Sequence, residues 1–266
     1  MLQYIWNIVL QYPILSSSVV HVFLTTLETY IMYGFFFLFD SGIIKAERLR
    51  VLMRVPQTNE SYKNNMRMSF MNSIKLWFGV GLLTYILTGD IHGHYSIQGI
   101  PRSSLPSEAP GLFNYLLDTA VTIICVDFAL YWMHRAFHWG PLYKNFHSVH
   151  HEYHDTVASH SMSAHIVEIY SALTVLFIVP RLVYSVLQIH PMVVYFTPFI
   201  MTAHGVLEHC GYDDHLDTLT LGLFSGSKMH MVHHQKSRKN YGFYTYMWDE
   251  LFGTCERYED MCKQVK

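Results

Sequence analysis

Eight histidines fall in three short clusters. His134 and His138 are spaced H-x-x-x-H. His147, His150 and His151 form H-x-x-H-H, and His230, His233 and His234 repeat that second pattern. Residues i, i+3 and i+4 share a helix face, so each cluster is predicted to point its imidazoles at one centre. Neutral imidazole is the commonest protein metal ligand. Eight rings converging from three helices are too many for one ion with room for a substrate, and they suit two ions. Imidazole accepts iron, zinc and copper alike, so ligand type does not fix the metal. A catalytic zinc needs about three protein ligands. A histidine-rich site serving two redox metals can bind and reduce O2.

Those clusters need a scaffold. The chain has 266 residues, 51% hydrophobic and only 14% charged, a composition of the membrane class. Five apolar stretches stand out: 19–39, 76–87, 113–133, 166–187 and 191–206. The last two are joined tightly at Ile189-His190-Pro191 and read as a hairpin, either arm of which could be re-entrant. Sixteen of the 18 basic residues fall on one side of a five-span arrangement, and the positive-inside rule makes that side cytosolic. The predicted fold is all-α: a multi-span membrane bundle of about four or five apolar helices with a cytosol-facing, histidine-rich helical cap. Residues 1–112 are read as N-terminal membrane helices with their loops, 113–257 as the catalytic region and 258–266 as a tail.

Asp127, Tyr131, His134 and His138 are spaced 4, 3 and 4, one helical stripe. A carboxylate inside a span is costly and points to function. Its predicted role is to accept the second N–H of a ligand imidazole, with pairing to Arg135 the structural alternative. The four cysteines show no C-x-x-C spacing and are expected as free thiols; no cleavable signal peptide is evident. His154, His160, His190 and His215 are read as solvated or hydrogen-bonded loop residues, and His92 and His94 as lying on the far side.

The 18 basic and 20 acidic residues give no excess of positive charge to suggest nucleic acid. No G-x-G-x-x-G turn, P-loop or C-x-x-C-H haem site is present, so an oxygenase of this kind must take its electrons from another protein. The basic group Lys236, Arg238 and Lys239 fits an acidic donor, and phospholipid headgroups explain it equally well. A membrane metal-ion transporter is the competing class. It would hold ligands near the bilayer midplane, whereas these triplets sit in polar sequence beyond the spans.

At these residues the chain resembles the sterol desaturase/fatty acid hydroxylase superfamily. The segments His134-Arg-Ala-Phe-His138, His147-Ser-Val-His-His151 and His230-Met-Val-His-His234 match its three histidine boxes. His209-Cys-Gly-Tyr-Asp213, Phe224-Ser-Gly-Ser227 and Trp248-Asp-Glu-Leu-Phe-Gly-Thr254 extend the likeness, which runs from about Thr119 to Arg257. It is nearest the branch holding C-4 methylsterol oxidases and cholesterol 25-hydroxylases. The resemblance implies a cytosol-facing site for two non-haem iron ions in the endoplasmic reticulum membrane. It implies O2 as co-substrate and electrons supplied through cytochrome b5 and its reductase. It implies His209 as a ninth ligand, with His204 either a tenth or a group behind the ligands. The implied reaction is hydroxylation of a lipid C–H bond, a sterol leading; lipid desaturation, or hydroxylation of a sphingolipid or fatty acyl chain, are the alternatives. Where sterol-acting members often show H-P-x-E, this chain has His165-Ile166-Val167-Glu168, read as a structural or supporting pair rather than ligands.

Overall fold

The computed structural model describes residues 1–45, 47–51, 59–88, 99–152, 154–213, 215–220 and 223–265. His92 and His94 lie outside them. The helices are α1 (Leu2–Gln11), α2 (Ser18–Asp40), α3 (Asn59–Thr88), α4 (Leu112–Phe137), α5 (Gly140–Asn145), α6 (Ile166–Leu187), α7 (Pro191–His209), α8 (Leu216–Leu219), α9 (Ser227–Lys236), α10 (Met247–Leu251) and α11 (Tyr258–Val265). Among the described residues no strand forms; two isolated bridges join Arg50 to Tyr212 and Phe224 to Thr245.

Three described helices, α2, α4 and α6, are long and apolar enough to cross a membrane. At 1.5 Å per residue the 26 residues of α4 reach about 39 Å, more than the roughly 30 Å hydrocarbon core. Their outward faces are apolar: Phe23, Leu27 and Ile31 on α2, Phe113, Leu116 and Phe128 on α4, Ile178, Leu182 and Val186 on α6 are all exposed. Exposed apolar area of this extent is a lipid-facing surface. The other two apolar stretches become the end of α3 and most of α7. Helix α3 presents Phe70, Phe78 and Leu82 outward. Helix α7 does the reverse: eleven of its 19 residues are buried, and it packs on α2, α4, α6 and α9. It is the core helix of the bundle, with the others around it.

Local chemistry sets the helix limits. The Ser17 side chain accepts from Val20 N at the start of α2, His165 Nδ1 from Val167 N at the start of α6, and His190 Nδ1 from Met192 N at the start of α7; each supplies a terminal N–H with the acceptor it lacks. Gln188, in the left-handed region at φ 54°, closes α6 and turns the chain into Pro191 at the first position of α7, which fits the hairpin expected there. Beyond His209, Gly211 has φ +75°, and a Cβ there would stand 2.7 Å from the Thr156 carbonyl oxygen. Only glycine lets the Thr156 backbone, a few residues past the second histidine cluster, lie this close to the end of α7.

The cap is folded less regularly than the spacing predicts. His147–Glu152 is a 3₁₀ segment rather than an α-helix, and a second 3₁₀ segment, Ala158–Met162, packs on α3 and α7. Helix α9 is buried almost throughout, covered on one side by α11.

Candidate metal centre

Helix α4 delivers His134 in its last turn and His138 at its cap. The 3₁₀ segment delivers His147, His150 and His151. Helix α7 delivers His209 as its last residue, and α9 delivers His230, His233 and His234. These nine form two groups, His134, His138, His147, His151 and His233 in one and His150, His209, His230 and His234 in the other, with the ligand-capable atoms of each group within 4.8 Å of one another. The groups share a wall, where the His151 and His234 rings stack at 4.6 Å.

The expectation that each cluster serves one centre is corrected. The i, i+4 pairs His134/His138, His147/His151 and His230/His234 each stay within one group, while the i+3 residues His150 and His233 cross to the other. On α9 the physical reason is angular. At 100° per residue, positions i and i+4 lie about 40° apart, whereas i+3 and i+4 lie about 100° apart. Both triplets therefore tie the two groups together.

Within the first group the Nε2 atoms face each other: His134 to His147 at 3.1 Å, His138 to His147 at 2.9 Å, His151 to His147 at 3.1 Å and His151 to His233 at 3.0 Å. In the second, His209 to His150 is 3.2 Å, His230 to His209 2.8 Å and His234 to His230 3.1 Å. The opposite ring nitrogens show what these contacts are. Nδ1 of His134 donates to the Tyr241 carbonyl at 2.9 Å, of His233 to Lys239 at 2.7 Å, of His209 to Gly205 at 2.7 Å and of His150 to Ser163 at 3.4 Å. A carbonyl can only accept, so these Nδ1 atoms carry the ring proton and their Nε2 atoms present bare lone pairs. Glu168 Oε2 stands 2.9 Å from His147 Nδ1, off the line of a hydrogen bond. Burial, reinforced by the neighbouring rings, pushes His151, His230, His233 and His234 well below the ordinary imidazole range, which leaves them neutral at pH 7.

Inward lone pairs about 3 Å apart repel one another unless a cation lies between them. Nitrogens about 2.1 Å from a divalent ion and 90° apart about it are separated by about 3.0 Å. The donor set therefore fits one ion per group.

Two residues singled out from the sequence do other work. Asp127, fully buried, was expected on a ligand imidazole. Its Oδ1 instead accepts from Phe243 N at 3.1 Å and Tyr244 N at 3.0 Å, and its Oδ2 from Thr245 N at 3.0 Å and Thr245 Oγ1 at 2.7 Å. It anchors residues 243–245, two residues beyond Tyr241, whose carbonyl holds His134. Backbone carbonyls orient the rings, and the carboxylate acts one step behind them. His204 joins neither group; its Nε2 donates to the Phe243 carbonyl at 3.1 Å. His165 caps α6 and is no closer to a ligand role. His160 is buried, accepting from Val157 N at 3.1 Å and bonded to Asn65 at 2.6 Å, while His154 Nδ1 bonds the His234 carbonyl at 3.2 Å.

Sequence reasoning missed Asp249. Its buried carboxylate accepts from Tyr241 N at 2.8 Å, Gly242 N at 2.7 Å and Thr254 Oγ1 at 2.7 Å. The signal was its place in the Trp248–Thr254 element of the family likeness, to which no role was given.

A model of the fatty acid hydroxylase family matches residues 119–254, which contain both groups. A cholesterol 25-hydroxylase-like protein of Danio rerio is 30% identical over 261 residues, 95% of this chain and 97% of that one. The cholesterol 25-hydroxylase of Mus musculus is 29% identical over 154 residues, 56% of this chain and 50% of the mouse protein. A methylsterol monooxygenase of Aspergillus fumigatus is 28% identical over 150 residues, 54% of this chain and 49% of its own length. No solved structure matches the chain.

Proposed function

Because the chain belongs to the fatty acid hydroxylase family, we propose that it is an integral membrane oxidoreductase that uses O2 to hydroxylate a lipid C–H bond, with a sterol the leading substrate. The observation that carries the reading is the pair of histidine groups, five and four rings with their ligand-capable nitrogens brought together. Two iron ions, one in each group, would supply the binding and two-electron reduction of O2. The chain's own part is to bring nine imidazoles together and to fix the orientation of four of them, His134, His233, His209 and His150, through the carbonyls of Tyr241, Lys239, Gly205 and Ser163. The balanced reaction consumes a C–H bond, O2, two electrons and two protons, and releases an alcohol and water. The electrons come from outside, from a cytochrome b5-type donor kept reduced by its reductase.

Placement supports a lipid substrate. His134 and His138 close α4, His209 closes α7, and Glu168 opens the antiparallel α6. The site thus sits at one end of the bundle, where a lipid reaches it along the apolar helices, and not at the midplane where a transporter holds its cargo. The sterol preference rests on the printed names of the relatives.

Incubating active membranes with 18-oxygen-labelled O2 and candidate lipids tests the reaction. Label in a new hydroxyl group of a sterol is the expected result. Loss of two hydrogens without label would make the chain a desaturase. A labelled sphingolipid or fatty acyl chain would replace the sterol. No O2-dependent lipid change, with metal and reductant verified, would defeat the oxygenase reading.

We propose that the histidine cap faces the cytosol, on the strength of the basic residues gathered on that side, and that the membrane is that of the endoplasmic reticulum, as the family resemblance implies. Asn59-Glu60-Ser61 is a glycosylation sequon on the cytosolic side of this arrangement. It is expected to stay unmodified, while a sequon introduced at Ser103 acquires a glycan if it stands far enough from the bilayer. A mobility shift removed by glycosidase reads both, and a glycan at Asn59 inverts the topology.

A further inference from the structure

Helix α7 ends in His209, and Gly205 lies one turn before it on the same face. At 100° per residue the neighbours of Gly205 on that face are Met201, Thr202, Glu208 and His209, all within about 60° of it. Met201, Glu208 and His209 are buried, and Thr202 is held by its bond to Glu28 of α2 at 3.0 Å. Position 205 is nevertheless partly exposed, and a Cβ added there would meet no atom of the described residues within 4 Å. Exposure in the middle of a buried face is an internal gap, not the outer surface of the bundle. Gly34 on α2 shows the contrast. It too has nothing within 4 Å, but its neighbours Ile31 and Phe37 are exposed, so the space beside it is the lipid outside.

Glycine is disfavoured in a helix interior, where alanine is preferred. The usual reasons for it are a left-handed backbone or the close approach of another segment. Neither holds at Gly205, whose φ is not positive and whose side is empty. What the missing side chain provides is space. The same residue is joined to the metal centre, since its carbonyl accepts from His209 Nδ1 at 2.7 Å. A helical side chain leans toward the N-terminus over the preceding turn, so the His209 ring stands beside this gap.

Phe243 stands close by. His204, next to Gly205, donates to the Phe243 carbonyl, and the Phe243 ring packs on the cluster that contains Met201. Among the described residues it is the one aromatic side chain other than histidine in contact with both histidine groups, 5.0 Å from His134 and 6.3 Å from His230 between ring centres. It is partly exposed, between buried Gly242 and Tyr244. Helix α6 packs on α4 and α7, yet only Pro180 and Val183 of its 22 residues are buried. Its Ala172 and Leu176 lie against the Met201 cluster and stay only partly buried. The polar groups nearest the gap are engaged elsewhere: Glu208 is fully buried, and the Thr202 hydroxyl donates to Glu28. A gap with such walls accepts hydrocarbon.

We propose that the gap beside Gly205, bordered by Met201 and Phe243, receives the hydrocarbon end of the lipid that is oxidised, and that the missing side chain at 205 sets how bulky that end can be. The proposal rests on the oxygenase reading and adds to it the side from which the substrate meets the site, that of His209 and His230 in the four-histidine group. The polar head of the lipid stays outside this chamber, so the carbon oxidised lies away from that head. A branched or ring-bearing end fits beside glycine. A side chain at 205 would occupy the same volume.

The test uses the whole metal-loaded protein in phosphatidylcholine vesicles, with cholesterol bearing a diazirine on its side chain as the probe. Light-dependent labelling reads occupancy whether or not the lipid is turned over. In the wild type the label is expected on the peptides that carry Met201 and Phe243. Gly205→Leu is expected to lower this labelling about tenfold or more, the scale on which a hydrophobic pocket rejects excess volume, while keeping both metal ions. Gly205→Ala should be intermediate and melt no lower than the wild type, because alanine favours the helix. Gly34→Leu, the same change on the outer face of α2, should alter labelling less than about twofold, as surface substitutions do. Full labelling in Gly205→Leu would overturn the chamber. So would label confined to the outer faces of the helices, or loss of metal together with labelling, which would make the glycine a packing requirement of the His209 end. Failure of both this probe and a ceramide with a diazirine on its acyl chain to label the wild type there would overturn it as well. Labelling of the expected pattern with no O2-dependent product from the wild type would support the chamber and count against the oxygenase reading alone.

Discussion

His150→Ala and His233→Ala are each expected to abolish lipid oxidation while leaving the chain inserted in the membrane. The loss should exceed the roughly 100-fold at the upper end of what removing a ligand's supporting partner costs, since these rings would be the ligands themselves. Wild-type protein is expected to carry close to two metal ions. Iron is the active form, and zinc is a competitor after overexpression because it outranks ferrous iron in intrinsic affinity. The two variants should differ in which ion they lose. Removing His233 leaves four rings in its group, and removing His150 leaves three, so the His150 variant should give up its ion at the lower chelator concentration.

The crossed arrangement sharpens this. His150 and His151 are neighbours in sequence, yet their Nε2 atoms belong to different groups. His150→Ala should therefore resemble His230→Ala in its metal titration, and His151→Ala should resemble His134→Ala. Elemental analysis against a chelator series, with alkaline extraction as the control for insertion, decides it. If His150→Ala and His151→Ala deplete the same ion, the division into groups is wrong. Full activity in His150→Ala or His233→Ala would remove the metal assignment altogether. Chelating the wild type should also lower its melting temperature, because it leaves buried lone pairs facing one another with no cation between them.

The eight boxed histidines were legible because metal binding concentrates one residue type at short spacings, and composition alone announced the membrane. Their division between two groups was not. It depends on where the 3₁₀ segment at His147–Glu152 lies against α9, and spacing within one cluster carries no information about its distance from another. Helix α7 was legible as apolar but not as central, since an apolar run reads alike whether lipid or protein covers it. His204 and Asp127 show the same limit. His204 was read as a ligand or a group behind the ligands, and Asp127 as the partner of a ligand imidazole. The partners turned out to be backbone atoms of residues 243–245, and backbone acceptors and donors have no signature in sequence. For the same reason Asp249 passed unnoticed, although it binds the neighbouring stretch, Tyr241 and Gly242, in the same manner.

Asp127→Asn is expected to lower both stability and metal affinity, the second through the first. The carboxylate accepts four hydrogen bonds, three from consecutive backbone N–H groups and one from the Thr245 hydroxyl. An amide keeps one oxygen for this task and turns an N–H toward donors that it cannot accept from. With its oxygen in the place of Oδ1 the amide still leaves the Thr245 N–H unpaired, at about 1–3 kcal/mol, a sizeable share of a stability of roughly 5–15 kcal/mol. The segment so loosened begins two residues beyond Tyr241, whose carbonyl fixes the proton of His134 on Nδ1. Affinity for the ion of the five-histidine group should fall about tenfold or more, within the range for lost supporting partners. The four-histidine group is oriented by Gly205 and Ser163 and should be little changed. Melting of the metal-free protein and competition with a chromophoric chelator measure the two effects separately. A lower melting temperature with unchanged affinity would show that the Tyr241 carbonyl does not govern His134. No change in either would mean that Asp127 does not anchor the segment. The deciding comparison is the double variant Asp127→Asn/His134→Ala. If Asp127 acts on the metal only through His134, its effect on affinity should nearly vanish once that ring is gone, while its cost in stability persists.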